Sequence, residues 1–192
     1  MYAAMRNSPD TDCTTSDFAA HLLRILGFSQ LPNRLVRRNI DLPLYTCGRS
    51  LHVIADVCLW DPINQTALMI IKEDKRTHDP HSGDPEPQLF AQAIAAFQSY
   101  NRALRAARLP PVDTKIIPAV IMAGATPILY KFEITAELVE SVQSAQCPTK
   151  VTKVQRLVPP VNRCHLLKEE GMVPVETRAV MLSCLEGFKA FL

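Results

Sequence analysis

The stretch IADVCLWDPINQTALMIIKEDK, residues 54–75, decides how the chain is organised. Two runs rich in β-favouring residues, 51–61 and 66–75, flank the tetrad Pro-Ile-Asn-Gln at 62–65, a tight turn. So short a link makes the two runs adjacent antiparallel strands. Side chains alternate along a strand, so Glu73 and Lys75 fall on one face and Lys72 and Asp74 on the other. Asp56 interrupts the apolar run of the neighbouring strand and is placed beside Glu73 and Lys75. Two carboxylates brought together in a buried setting raise one another's pKa and lose hydration, a cost that a divalent cation removes. All-oxygen ligands suit Mg²⁺ or Mn²⁺, and a lysine two residues beyond a metal-binding carboxylate can orient an attacking water or, as the neutral amine, deprotonate it. The implied chemistry is phosphodiester hydrolysis; the competing reading is a structural ion-pair cluster at a sheet rim.

Working outward, the fifteen prolines punctuate the chain, since their nitrogens cannot donate to a helix or a central ladder. On the N-terminal side, TTSDFAAHLLRILGF (14–28) reads as a helix capped by Ser16 or Thr15 and stopped by Gly27, with Phe18, Leu22, Ile25 and Leu26 at helical spacing. SQLPNRLVRRNIDLP (29–43) reads as a basic connector, and LYTCG (44–48) as a first short strand. On the C-terminal side, the loop RTHDPHSGDPEP (76–87) leads into a long helix over 88–109, with Leu89, Ala93, Ala96 and Tyr100 or Phe97 on its apolar face. Two strands follow, 114–124 and 127–135, with Pro118 demanding an edge, a bulge or a strand's first residues. Thr135 caps a short helix, and residues 176–192 form an amphipathic helix with Met181, Leu185, Phe188 and Leu192 on one face. The order is helix, three strands, long helix, two strands and helical additions. It predicts an α/β or α+β domain, a central mixed sheet flanked by helices, over residues 15–192 behind a flexible tail at 1–14.

At 192 residues and 47% hydrophobic content the chain can bury one core without staples. Lys and Arg number 21 against 19 Asp and Glu, so any attraction to nucleic acid must come from local patches. The six cysteines, at 13, 47, 58, 147, 164 and 184, show no CxxC pair or zinc spacing and read as reduced core residues. That usage predicts an intracellular setting, cytoplasmic or nuclear. No apolar run approaches the length of a membrane span or a signal sequence, so no membrane association is expected.

Asp56 followed by Glu73-Asp74-Lys75, in this order of elements, resembles the PD-(D/E)XK nuclease superfamily. The sequence is particularly similar to fungal proteins placed there, through Asp56-Val57, the strand end KEDK (72–75), DPEPQL (84–89) with AIAAFQ (93–98), and LSCLEGFK (182–189). The resemblance implies a restriction-endonuclease-like core of order αβββαβ, extended by a further strand and C-terminal helices. It implies that Asp56 and Glu73 bind Mg²⁺ or Mn²⁺, that the Asp74 carbonyl completes the shell, and that Lys75 positions water. Gln88 resembles a glutamine that points back at the site in some branches. Where many members carry a glutamate in the first helix, this chain offers Asp17.

Other residues carry weaker signals. Arg34, Arg37 and Arg38 on the connector, and Arg102, Arg105 and Arg108 on the long helix, can meet phosphates of DNA or RNA or face solvent. Trp60 is the sole tryptophan and no aromatic series is interleaved with the arginines, so no base-stacking platform is legible. His78, Asp79, His81 and Asp84 supply metal-ligand types without a closed zinc spacing, which fits a solvated loop better. The C-terminal amphipathic helix covers the sheet or offers a surface to a homodimer or another protein. Two functions are therefore expected to compete: a metal-dependent nuclease, and a catalytically degenerate nuclease fold acting as a nucleic-acid or protein interaction module.

Overall fold

The turn at 62–65 folds its flanking runs together as the sequence predicts. The computed structural model describes residues 14–30, 32–77, 79, 81–162 and 164–192. The elements are α1 (Thr14–Ile25), β1 (Leu35–Thr46), β2 (Arg49–Asp61), β3 (Thr66–Glu73), α2 (Pro85–Ala106), β4 (Thr114–Ala123), β5 (Thr126–Thr135), α3 (Ala136–Gln143), β6 (Val154–Leu157), α4 (Leu167–Glu170) and α5 (Val175–Phe188). Apart from Thr14, which opens α1, the tail expected at the N-terminus lies outside the described residues.

The strands form one mixed sheet ordered β1 to β6, an α+β architecture. All neighbours are antiparallel except β3 and β4, whose parallel pairing requires the crossover that α2 supplies. Helices cover both faces. On one, Leu89, Ala93, Ala96 and Phe97 of α2, with Leu138 of α3, pack on Cys58, Ile70, Ala119 and Ile121. On the other, Ala19 and Leu23 of α1 and Met181, Leu185 and Phe188 of α5 pack on Val57, Met69, Ile71 and Val120. Each fully buried large side chain contributes about 2 kcal/mol of burial. Among the described residues no helix is long and apolar enough to cross a membrane.

Residues 29–43 are not simply a connector: β1 already begins at Leu35. Its arginines, Arg37 exposed and Arg38 half-buried, hide the alternation that places Leu42 and Leu44 inward, a common disguise of an edge strand. At the other edge β6 pairs with β5 through four exposed residues, which carry no apolar period to read. Pro118 lies one residue before β4 takes β3 as its second neighbour at Ala119, so its missing N–H interrupts no ladder on that side. Ala55 and Cys58 both join the α2-side core although three residues apart, so alternation slips between them. Opposite the slip, Asn39 takes a φ of 51°. Of the cysteines read as core, Cys58 is buried and its thiol is pushed up to about 12 by that burial, against a small opposing pull from Arg37. Cys47 and Cys147 are exposed instead, each in a turn-rich segment beside α3.

Candidate active site

The β2–β3 ladder closes at Val57 opposite Ile71. Beyond it the two strands part: Lys72 and Glu73 pair with Ile121 and Met122 of β4, while Ile54 and Ala55 stay with Asp41 and Ile40 of β1. Asp56, at the alternation slip, fills the fork. Its carboxylate accepts the Glu73 main-chain N–H at 2.8 Å and meets the Lys72 Nζ at 3.0 Å. Both side chains are largely withdrawn from water, at 17% and 12% exposure, so this is a partly buried, charge-assisted pair. The parting of the strands would strand the Ile54 carbonyl, and α2 answers it: Gln92 Nε2 donates to that oxygen at 2.7 Å. The Gln92 Oε1 is buried with no hydrogen-bond partner.

Glu73 turns toward the start of α1 and is 3% exposed. Ser16 Oγ donates to its Oε2 at 3.2 Å, and the buried Thr15 hydroxyl beside it makes no hydrogen bond of good geometry. The positive end of the α1 dipole favours a carboxylate there. Burial nevertheless raises the Glu73 carboxyl above its ordinary range; the Thr15 and Ser16 hydroxyls hold it down in part, Asp56 adds to the rise and Lys75 opposes it.

Past Glu73 the chain leaves the sheet. The Asp74 N–H donates to Met122 O at 2.8 Å, and its carboxylate accepts from Arg76 Nε and Nη2, both at 2.9 Å. Arg76 also reaches Asp84, 3.6 Å away, whose Oδ1 caps α2 by accepting the Glu86 N–H at 3.1 Å. Lys75 opens a single 3₁₀ turn and is exposed. The alternation that would set Lys75 on the Glu73 face thus ends with the strand.

The fold brings Asp56 and Glu73 to one fork, with Asp74 and Lys75 in the adjoining turn. The ammonium bonded to Asp56 is that of Lys72, which alternation assigns to the face away from Glu73. Gln88 is exposed on α2, and one turn later Gln92 reaches the fork. A readable signal for it exists: a long polar side chain set in the apolar stripe of Leu89, Ala93 and Ala96. Asp17 is exposed and paired with Arg38. Arg37 and Arg38 point to opposite faces of β1, as adjacent strand residues must, and Arg34 interacts with Asp61. Arg102 and Arg105 sit far along α2, with about 15 Å of helix rise between Gln92 and Arg102. In the loop, the His81 N–H donates to Asp79 Oδ1 at 3.0 Å, and His78 lies outside the described residues. Among the described residues no three His, Cys, Asp or Glu side chains converge as a metal-binding group. No protein-family model matches the chain, and no curated protein matches it.

Proposed function

We propose that this chain is a metal-dependent nuclease-like enzyme that hydrolyses phosphodiester bonds of DNA or RNA on a restriction-endonuclease-like core. The observation that carries this reading is the meeting of Asp56 and Glu73 where β2 and β3 part, with the Glu73 carboxyl already sensitive to the Asp56 charge. The donors fit Mg²⁺ or Mn²⁺: both are carboxylates, and the buried Thr15 hydroxyl beside Glu73 adds a further oxygen. Asp56 and Glu73, completed by the main-chain carbonyl of Asp74, would hold the ion. When bound, it supplies charge neutralisation at the phosphate and acidity to water. The chain's own groups do the rest. Ser16 and the α1 N-terminus hold the Glu73 carboxylate in place, Asp56 is fixed by the Glu73 amide, and the exposed Lys75 ammonium orients the attacking water. The proposed setting is the cytoplasm or nucleus, consistent with cysteines that are free among the described residues.

A second reading, the degenerate fold acting as an interaction module, has its own support. Lys72 already neutralises Asp56, and Arg38 already neutralises Asp17, so the protein's cations stand where an ion would act. Calorimetric titration with Mn²⁺, paired with cleavage assays on single- and double-stranded DNA and RNA, separates the two. The nuclease reading expects one Mn²⁺ site that Asp56→Asn weakens at least tenfold, and cleavage that Lys75→Ala lowers by about 10²-fold or more. Equal cleavage by the wild type and Lys75→Ala would sink the assigned water-handling role. A wild type that neither binds Mn²⁺ nor cuts any substrate leaves the interaction module standing.

A further inference from the structure

Away from the fork, β1 and the C-terminal half of α2 enclose a cavity of about 560 Å³, walled by Asp41, Pro43, Trp60, Gln65, Ser99 and Arg102 among others. Arg102 also lines a neighbouring cleft of about 260 Å³ together with Tyr45, Phe97 and Arg105, so the two depressions share a wall. Rings and guanidinium groups distant in the sequence are brought into pairs here. Arg37 lies over the Trp60 ring at 6.0 Å and Arg102 over the Tyr45 ring at 5.1 Å. The platform is built rather than incidental. The buried Gln98 clamps the Tyr45 main chain, accepting its N–H and donating to its carbonyl, both at 2.9 Å. Trp60 is half-buried against the α2-side core, which fixes its ring. Two acids line these depressions, Asp41, bonded to His52 at 2.7 Å, and Glu140 at the far end, against Arg37, Arg102 and Arg105.

We infer that this groove binds single-stranded nucleic acid, with a base stacked at Trp60 and Arg102 and Arg37 contacting the phosphates. The larger cavity falls within the range of about 300–1,000 Å³ that buries a drug-sized ligand, the scale of about one or two nucleotides. Aromatic walls beside cations are the usual means of holding single strands without reading sequence, because every base offers a π-face. Bases in a duplex are stacked on one another, so they are not free to stack on a side chain. The inference rests on the nuclease reading only for the class of ligand; it concerns residues that take no part at the fork.

Because Trp60 is the only tryptophan, its emission reports the groove directly. The test is titration of the full chain, in EDTA so that no cutting occurs, with unlabelled oligo-dT and oligo-rU, with a duplex of equal length, and with a polyglutamate peptide. Affinity is followed in parallel by anisotropy of a labelled oligonucleotide. The expected result is quenching of Trp60 by one or both single strands, at least tenfold weaker action by the duplex, and none by the peptide. Arg102→Ala should weaken binding and lower the magnitude of the log–log salt slope by about 1. Trp60→Phe, read by anisotropy, should weaken it severalfold. Unchanged emission while an oligonucleotide binds, wild-type affinity in both variants, competition by polyglutamate equal to that of the oligonucleotide, or no binding at all would each overturn the inference. Quenching without any cleavage in Mn²⁺ would uphold the groove and defeat the nuclease reading.

Discussion

The fork and the groove settle charge in opposite ways. At the fork each carboxylate is answered inside the fold: Asp56 by Lys72 and an amide, Asp74 by Arg76, Glu73 by Ser16 at a helix N-terminus. In the groove Arg102 and Arg105 keep their charges at the surface, Arg102 over the Tyr45 ring and both in a cleft that Glu140 also lines. Charge withdrawn from water must be compensated locally or the fold loses stability, whereas charge left in water costs little and stays available to a ligand. Substitutions at the fork should therefore register in stability, and substitutions in the groove in binding.

The largest test of that contrast is Asp56→Ala. It removes the partner of a mostly buried ammonium and of the Glu73 amide together, and urea unfolding should show a loss of about 3 kcal/mol. A loss below about 1 kcal/mol would mean that water reaches the fork and would break the contrast. Adding Lys72→Met to that variant should recover part of the loss, since no unpaired charge is then left. Next is Gln92→Leu, which strands the Ile54 carbonyl but also removes the unpartnered Oε1; a net loss of about 1–2 kcal/mol is expected in the same measurement.

The pH dependence of Glu73 comes after. Its folded carboxyl sits above the ordinary value of 4.5, chiefly through burial, so in that window the folded chain holds a proton that the unfolded chain has released. Stability from this group is present in acid, falls as pH rises from about 4.5 through the raised folded value, and is level beyond it. Comparing urea midpoints of the wild type and Glu73→Gln across about pH 4 to 8 should show the wild type losing ground to the variant as pH rises. A gain would mean that the hydroxyls and Lys75 outweigh burial. The smallest effect belongs to the groove: Arg102→Ala should leave unfolding within about 0.5 kcal/mol of the wild type. A larger change would make that arginine part of the fold's own packing.

What the sequence made legible follows the range of the forces involved. The β2–β3 hairpin, the Thr135 cap and the end of α1 at Gly27 are each set by a few consecutive residues, and all three form as read. Asp56 and Glu73 were legible as a pair because one short turn fixes their strands side by side. Their partners were not. Ser16 stands 57 residues from Glu73 and Gln92 stands 38 from Ile54, so both contacts depend on how helices lie on the sheet. The exchange of Lys75 for Lys72 at Asp56 has a different source, the departure of the chain from the sheet after Glu73. The groove was hidden for a like reason: Trp60 and Arg102 meet only because α2 crosses back over β1.

The single parallel pair in the sheet also sets an order of events. The β1–β2 and β2–β3 ladders close over short turns and can form within about microseconds of one another. Lys72 and Glu73 meet β4 only after the long excursion through α2 has been closed, a costlier loop. Asp56 can take up Lys72 and the Glu73 amide as soon as the β2–β3 hairpin closes, but the β4 side of that corner stays open to water until the crossover is made. The corner thus closes in two steps, its ion pair with the hairpin and its cover with the parallel pairing.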